Sequence, residues 1–561
     1  MIPRNVVLKL LKDAGVEKTV AEKHLEVPPD IELGDFAFPC FVLAKEWKKP
    51  PQQIAKDLAK KISDDSAVEK VAAVGPYLNF FLKAKSMLQN VLSEIVKTKS
   101  KYGSAKSKKK MMIEYSQPNT HKEFHVGHVR NVALGMSLVN LFRFSGYNVV
   151  PTNYIGDVGA HVAKSLWCYL KFHKKDKLPE NKGKYLGQIY AEATEKVEKD
   201  ENHKNEISEV LQKLESGDTE MLKLWQQTRQ WSLDEFDEIY DFLGAEFEKV
   251  YFESKVEKPG KDIVNELLKK GIAEMSEGAV VINLEKQKLN IFLLLKSDGT
   301  SLYSTKDLAL AKIKHKDFHP DKSIYVVDSR QRMYFQQVFA TVKLMGFKED
   351  LFHLSYDFVK LKDGVMSSRK GNIVPFEDLR DTMLKKCVTE TKKRRKEWNK
   401  EQVASVSKHI AVAAIKFDML KFDNNKEITF DLDAALDFEG ETGPYLQYAH
   451  ARLCSILRKA KYAPNAKTDV SGLQDPVEKE LVQLLSLFPK KVDEATHSYK
   501  PSLIARYCLE LAQKANEFYH KLHILKGEES LKEARLLLVW STKMVLQNAL
   551  TLLGVEALEE M

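Results

Sequence analysis

Residues 111–128 read Met-Met-Ile-Glu-Tyr-Ser-Gln-Pro-Asn-Thr-His-Lys-Glu-Phe-His-Val-Gly-His and decide how the centre of this chain folds. The apolar run 111–113 is typical of a short buried strand. A polar loop follows, and beyond it apolar residues recur at helical spacing as far as Phe142. The stretch therefore predicts a strand, a loop and a helix in succession.

Two histidines, His125 and His128, flank Gly127 where the predicted helix starts. A helix N-terminus offers free N–H groups and a positive dipole end to phosphate oxygens. Glycine lets a flat ring approach the backbone, and imidazoles donate hydrogen bonds to oxygens that gain charge in a transition state. Thr120 and Glu123 have capping-box spacing, but Gly127 indicates a later helix start. We expect a nucleotide phosphate site; the alternative is two ordinary surface histidines.

A second loop, residues 366–372, reads Met-Ser-Ser-Arg-Lys-Gly-Asn and follows a predicted strand at 353–360. Hydroxyls, two cations and a glycine suit the oxygens of a triphosphate. Such a sequence taken alone is also typical of a solvated turn. The candidate phosphate-binding residues of this loop are Met366, Ser367, Ser368, Arg369 and Lys370.

The composition describes a globular protein of several domains. The chain has 561 residues, of which 43% are hydrophobic and 30% are charged, so two to four domains are expected. No apolar run reaches the length of a membrane span. The five cysteines are scattered without a CxxC pair, so neither a disulfide framework nor a zinc site is expected. The start of the chain has no signal-peptide core, which favours a cytoplasmic protein.

The net charge of +9 is compatible with binding RNA but does not indicate it. Two basic clusters are more informative, one at 106–110 and one at 392–396. Either cluster is a solvated face or a nucleic-acid contact, and the sequence leaves both readings open.

Patterns along the chain divide it into three predicted domains. Residues 1–105 have the features of an α+β unit. Residues 106–385 alternate strands and helices, which favours a Rossmann-like parallel sheet with its ligand crevice where the strand order reverses. A charged helical insertion is predicted at about 173–255. Residues 386–561 carry long amphipathic helices and predict an all-α bundle.

Several further motifs occur in one order: Gly34-Asp-Phe-Ala37, Tyr303-Ser-Thr-Lys-Asp307, Asp328-Ser-Arg-Gln331 and Gly443-Pro-Tyr-Leu-Gln-Tyr448. With the HxGH motif and the second loop they resemble the class I aminoacyl-tRNA synthetases, and among these the arginyl-tRNA synthetases. The resemblance covers nearly the whole chain. It implies ATP-dependent attachment of L-arginine to an arginine-specific tRNA through an arginyl-adenylate, with Mg²⁺ accompanying ATP.

The resemblance also implies roles for individual residues. Glu114, Tyr303 and Asp307 would hold the guanidinium, and Asn119 and Gln331 the α-amino and carboxylate groups. Charge-assisted, forked hydrogen bonds to carboxylates suit this planar cation. The alternative for Asp307 is a helix-surface acid paired with a neighbouring lysine, and for Gln331 a helix N-cap. ATP would bind at His125, Gly127 and His128 and at the second loop.

The second loop departs from the family signature KMSKS. Val365 and Ser368 stand where its two lysines belong, and Arg369 and Lys370 follow one and two positions later. Many relatives with a weakened loop place a lysine ahead of HxGH, as Lys122 does here. We therefore expect Lys122, Arg369 and Lys370 to share the charge on the pyrophosphate side. Two smaller departures are Tyr334, where many relatives have histidine, and Glu560, where they have arginine.

The expected tRNA contacts rest on the resemblance. Tyr77 and Asn79 would touch the tRNA elbow, and Tyr445 and Tyr448 would stack on anticodon bases. Burial in a core explains these aromatic residues equally well. We expect a monomer without membrane association. The alternatives are another class I synthetase or a synthetase-like tRNA-binding protein without catalysis.

Overall fold

The computed structural model describes residues 3–28, 33–62, 68–362 and 375–561. The predicted phosphate-binding residues at 366–370 lie outside the described residues. The first part of the chain forms an α+β unit with a core of its own. Its elements are α1 (Pro3–Asp13), α2 (Lys18–His24), β1 (Phe36–Pro39), α3 (Ala44–Trp47), α4 (Pro51–Lys61), β2 (Val68–Val74) and β3 (Tyr77–Leu82). Helix α5 (Ala84–Thr98) follows and packs through Leu88, Val91, Leu92 and Ile95 into the core of the rest of the chain. Strand β3 pairs antiparallel with both β1 and β2.

The middle of the chain contains strands and helices in alternation, interrupted by a run of helices. The first half consists of β4 (Lys110–Glu114), α6 (Val126–Phe144), β5 (Asn148–Ile155), α7 (Ala160–Cys168), α8 (Lys182–Lys199), α9 (His203–Ser216), α10 (Thr219–Leu243), β6 (Lys249–Phe252) and α11 (Glu253–Lys269). The second half consists of β7 (Glu274–Ser276), β8 (Ala279–Ile282), β9 (Phe292–Leu295), α12 (Tyr303–Phe318), β10 (Lys322–Asp328), α13 (Arg332–Leu344), β11 (Asp350–Tyr356) and β12 (Val359–Leu361).

Five parallel strands form the central sheet in the order β11–β10–β4–β5–β6. From β4 the chain proceeds to β5 on one side and later to β10 on the other, so the strand order reverses between β4 and β10. Ligands of such sheets bind outside the carboxyl ends of the strands at this point. The predicted parallel sheet and its crevice are confirmed.

Three local features differ from the sequence patterns. Strand β6 lies within the range 173–255 and pairs with β5, so the inserted helices end at Leu243. Strands β7, β8 and β9 form a separate antiparallel sheet. The strand predicted at 353–360 is divided into β11 and β12, and β12 pairs with a strand of the helical part.

The last part of the chain is a helical bundle with one short strand. Its elements are α14 (Phe376–Arg394), α15 (Lys400–Leu420), β13 (Ile428–Phe430), α16 (Leu432–Ala435), α17 (Gly443–Ala460), α18 (Pro476–Ser498), α19 (Ser502–Lys521) and α20 (Glu529–Leu552). The predicted all-α bundle is confirmed. Among the described residues, no helix has the length and apolarity needed to cross a bilayer.

The segment 553–561 has no regular structure and is held by side chains that donate to its backbone carbonyls. Buried carbonyls need such partners. The donors and acceptors are Lys416 Nζ to Gly554 O (2.7 Å), Gln447 Nε2 to Glu556 O (2.8 Å), His450 Nδ1 to Leu558 O (2.8 Å) and Arg395 Nε to Met561 O (2.6 Å). Glu560 lies in this segment rather than in the last helix, and it pairs with Arg458.

Lys416 makes the fold sensitive to pH because its side chain is only 2% exposed. Burial lowers the pKa of Lys416 to about 7 from 10.5. Between these values the unfolded chain binds more protons, so this lysine increases the free energy of unfolding as pH rises. We expect the free energy of unfolding of the wild type, minus that of Lys416→Met, to rise by up to about 1.4 kcal/mol per pH unit between pH 7.5 and 9.5. Urea denaturation at several pH values measures both free energies. If they change with pH by the same amount in the two proteins, the prediction is wrong.

Candidate active site

A cavity of about 1070 Å³ opens at the carboxyl ends of β4 and β10. Its volume is that of a large ligand site. Because loops from the strand ends and the start of α6 and α12 meet here, the fold brings distant motifs together. Eight residues predicted from the sequence line it: Glu114, Asn119, His125, Gly127, His128, Tyr303, Asp307 and Gln331.

The two histidines cap helix α6 reciprocally. The N–H of Gly127 donates to His125 Nδ1 (3.1 Å), and the N–H of His125 donates to His128 Nδ1 (3.2 Å). Their rings stack with centroids 3.8 Å apart. The helix begins at Val126, which confirms the predicted late start and excludes a cap at Thr120.

This cap determines which histidine nitrogens carry hydrogen. Each Nδ1 accepts a backbone hydrogen bond, so the hydrogen of the neutral ring is on Nε2. Burial lowers the pKa of His125 to about 4 and lowers the pKa of His128 well below its ordinary value. Both rings are therefore neutral Nε2–H donors. Only glycine fits between them, because a Cβ at Gly127 would lie 2.9 Å from His125 Cε1.

The loop after β4 has a strained backbone that buried amides hold in place. Ser116 and Gln117 have positive φ values of 79° and 49°, which cost free energy in residues other than glycine. Their N–H groups donate to Asn131 Oδ1 (2.6 Å) and Asn153 Oδ1 (3.0 Å). The sequence analysis missed both asparagines, because each lies inside an apolar-patterned element and shows its role only through the fold.

Asp307 lines the cavity, and the hydroxyl of Tyr334 donates a hydrogen bond to it. The alternative pairing with a neighbouring lysine does not occur, since Lys306 pairs with Glu253 (2.8 Å) and Lys312 with a residue of α11. Burial is the main cause that raises the pKa of Asp307 to about 7. No ion pair to Asp307 is found among the described residues, so its carboxylate is available to pair with a cation in the cavity.

Glu114 has a cationic partner of its own. The ammonium of Lys314 forms a buried ion pair with it, and Gln117 Nε2 donates to its other oxygen (3.1 Å). The sequence analysis treated Glu114 as one of two carboxylates available to a guanidinium and missed Lys314. A signal existed, since Lys314 follows Asp307 by seven residues on one helix and therefore lies on the same face.

The remaining predicted residues of this end differ in exposure. Tyr303 is 65% exposed at the mouth of the cavity. Gln331 precedes α13 without capping it through its side chain, so the alternative role as a cap does not occur. Asn119 bridges to Gly156 at the end of β5.

Lys122 is not among the residues of the cavity wall. Its ammonium lies 5.2 Å from the ring centroid of Tyr190, and Lys164 lies 5.3 Å from the same ring. Burial and the charge of Lys164 lower the pKa of Lys122. In the described part of the chain Lys122 has no ion-pair partner, so two cations stand unneutralised beside the start of α6.

The residues predicted to contact tRNA lie far apart in the fold. Tyr77 is half-buried and packs edge-on against the exposed Phe41. Asn79 is only 3% exposed within the sheet, so it is not on the surface of the α+β unit. Tyr448 is 38% exposed, whereas Tyr445 is half-buried and accepts a hydrogen bond from Asn516 (3.0 Å).

One side-chain group in the described residues has the donor atoms of a metal site. Ligand atoms of Cys168, His173 and Glu192 lie within 4.8 Å of one another. His173 already contacts Asp176 (2.7 Å) and Glu192 (2.9 Å), which satisfies both of its ring nitrogens. The ion pairs explain this arrangement without a metal.

Comparison with known proteins gives matches over nearly the whole chain. Family models match residues 4–82 (arginyl tRNA synthetase N terminal domain), 88–432 (tRNA synthetases class I (R), catalytic domain) and 446–561 (DALR anticodon binding domain). The arginine–tRNA ligase of Bdellovibrio bacteriovorus is 41% identical, covering 100% of this chain and 99% of the relative. That of Clostridium perfringens is 39% identical, covering 99% of each. The Thermus thermophilus arginyl-tRNA synthetase superimposes with a TM-score of 0.85 at 27% identity, covering 100% of both chains.

The histidine tautomers can be tested by NMR on protein labelled with ¹⁵N-histidine. We expect His125 and His128 to show the neutral Nε2–H pattern from pH 8 down to pH 5, because burial holds the pKa of His125 at about 4 and that of His128 well below its ordinary value. His125→Asn and His128→Asn identify the two signals by their loss. A signal that titrates above pH 6 and disappears in either variant would contradict the cap.

Proposed function

The chain belongs to the arginyl-tRNA synthetases and attaches arginine to tRNA with the use of ATP, and we propose that the cavity at the start of α6 binds arginine at its Asp307 end and ATP at its histidine end. The observation that supports this most is the charge pattern of the wall. Two carboxylates, Glu114 and Glu253, have resident lysine partners, whereas Asp307 has none among the described residues.

A guanidinium fits this end of the cavity. It is a planar cation that carboxylates bind through paired, charge-assisted hydrogen bonds. Asp307 supplies the charge, and Tyr334 orients it. The buried hydroxyl of Tyr154 also lies in this wall without a hydrogen-bond partner among the described residues. Neutral citrulline would leave Asp307 uncompensated, so the site rejects it. Asn119 and Gln331 hold the amino and carboxylate groups.

Catalysis then depends on position and charge rather than on a protein nucleophile. A carboxylate oxygen of arginine attacks the α-phosphorus of ATP, the bond to pyrophosphate breaks, and arginyl-adenylate forms. The neutral Nε2–H groups of His125 and His128 donate to phosphate oxygens as these gain charge. A ribose hydroxyl of the terminal tRNA adenosine next attacks the arginyl carbonyl, and AMP leaves with the bonding electron pair.

The pyrophosphate side is assigned to Lys122 with Arg369 and Lys370 of the second loop, together with Met366, Ser367 and Ser368. Lysine, arginine and serine side chains carry positive charge or donate hydrogen bonds, so these residue types suit phosphates rather than a metal. We therefore place Mg²⁺ on the phosphate oxygens of ATP, as is usual for this ion. Its chemistry is to neutralise phosphate charge.

The wider assignments follow from the same family. We propose three domains close to the predicted ranges 1–105, 106–385 and 386–561, with the second boundary placed before α14, since that helix belongs whole to the bundle, and we propose that the protein is a cytoplasmic monomer. In the bundle, Arg452 lies 4.8 Å from the ring centroid of Tyr448. This pair supports a stacking surface for anticodon bases. The elbow contact is proposed for Tyr77, which is half-buried and more accessible than Asn79, whose burial inside the sheet argues against a direct contact.

Asp307→Asn tests the arginine site, because it removes the charge and keeps the shape. Loss of one partner from a buried charge pair costs about 2–5 kcal/mol, so we expect the KM for arginine to rise at least about thirtyfold. Charging of total tRNA with labelled arginine measures it. Asp317→Asn on the exposed end of the same helix is the matched control. An unchanged KM in Asp307→Asn would refute the assignment, and tRNA binding without any charging by the wild type would favour the non-catalytic alternative.

The pH dependence of arginine binding gives a second test. Only ionised Asp307 pairs with a guanidinium, and the pKa of Asp307 is raised to about 7. We expect kcat/KM for arginine to fall about tenfold per pH unit below pH 7 and to level off above it. The Tyr334 hydrogen bond lowers this pKa, so Tyr334→Phe moves the break to higher pH. A profile for arginine that is flat from pH 6 to pH 8 would contradict this, and kcat/KM for ATP serves as the control.

A further inference from the structure

A second cavity lies far along the chain from the active site, and we propose that it receives an unpaired nucleotide of the tRNA, with the basic C-terminal half of α14 holding the adjoining phosphates. This cavity of about 540 Å³ is formed by α14, α15 and the segment 433–438. This proposal rests on the tRNA-charging activity, but it does not depend on the residues assigned to arginine and ATP.

The floor of the cavity is apolar and its rim is polar. Cys387 and Ile410 are buried at the floor, and Phe438 is half-buried at one side. Thr389 and Lys385 are exposed at the rim. A nucleobase has the matching distribution of polarity, since its flat faces are apolar and its edges are polar. The volume lies within the range typical of sites for small ligands.

Phe438 carries a guanidinium on its ring. The Arg394 guanidinium carbon lies 4.5 Å from the ring centroid. Arginine planes and aromatic rings are the surfaces on which proteins stack unpaired bases. Arg394 belongs to the basic cluster 392–396, so the cluster that the sequence left unexplained is continuous with the cavity.

The charges around the cavity complement a nucleic-acid backbone. The two acids of the cavity wall already have partners, since Asp433 pairs with Lys386 and Glu390 lies 3.8 Å from Arg394. Three exposed lysines of α14 have no ion pair within the described ranges: Lys385, Lys392 and Lys393. Lys385 makes the rim positive, and Lys392 and Lys393 extend the positive charge beyond the rim along α14, where phosphates would lie.

The position in the fold also favours tRNA over a small molecule. Helix α14 begins beside the active site, where the N–H of Phe376 donates to Phe124 O (2.8 Å). Its 19 residues span about 28 Å. Helix α15 packs both on α6 and on α17 of the bundle. A tRNA that reaches both the active site and the bundle therefore has α14 and α15 on its path.

The test fills the cavity without changing its charge. In Thr389→Trp we expect the KM for tRNA to rise about tenfold, the size of one lost stacking contact, and the KM for arginine at saturating tRNA to stay within twofold. Phe438→Ala, which empties the stacking side, should act in the same direction. Ser208→Trp on the exposed face of α9 is the matched control for an added surface tryptophan. Thermal denaturation verifies that each variant is folded.

Two further measurements distinguish binding of a nucleobase in the cavity from binding of phosphates by the lysines. A photoreactive benzoylphenylalanine at position 389 should crosslink to an unpaired nucleotide of an arginine tRNA transcript. Lys392→Gln with Lys393→Gln should reduce the salt dependence of tRNA binding, whereas Lys269→Gln on α11 should not. If the lysine variants weaken binding but Thr389→Trp does not, the cavity holds no nucleotide and the proposal is wrong. If none of these variants changes tRNA binding or the KM for tRNA, the proposal is also wrong, but the assignment of Asp307 to arginine is not affected.

Discussion

The start of helix α6 is the constraint on which the active site depends. The N–H groups of His125 and Gly127 donate to imidazole nitrogens, so the same hydrogen bonds that begin the helix also select the histidine tautomers. Neutral rings cost less to bury than charged ones. The arrangement therefore stabilises the helix and leaves two Nε2–H donors beside the cavity. Neither histidine can be replaced by a general hydrogen-bond donor without altering the helix start.

Buried charge is handled differently at the two ends of the cavity. At the end near α12, carboxylates are compensated in pairs, and only Asp307 lacks a cation among the described residues. Outside the cavity wall, beside the start of α6, the half-buried cations of Lys122 and Lys164 lack ion-pair partners among the described residues. An uncompensated buried charge is unfavourable in the free protein and favourable once its ligand binds. The cavity end near α12 therefore favours a cation, and the lysines beside α6 favour an anion.

Several site features follow from tertiary contacts that local patterns do not contain. Lys314 neutralises Glu114, so the carboxylates of the cavity wall are not equivalent. Tyr334, which the sequence showed only as a departure from many relatives, proves to be the hydrogen-bond partner of Asp307. Asn79 lies inside a sheet because residues of β3 alternate between two faces, and the sequence alone did not say which face is buried.

The sequence by itself determined the class of fold, the start of α6 and the set of motifs that meet in the cavity, because apolar periodicity and glycine placement act over short distances along the chain. It also determined the family, since several motifs in order leave little freedom. Only the tertiary structure decided which charged groups neutralise one another, which strands share the central sheet and where the segment 553–561 lies. These depend on residues more than a hundred positions apart, such as Glu114 with Lys314 and Lys416 with Gly554, whose pairing arises from packing and not from sequence spacing.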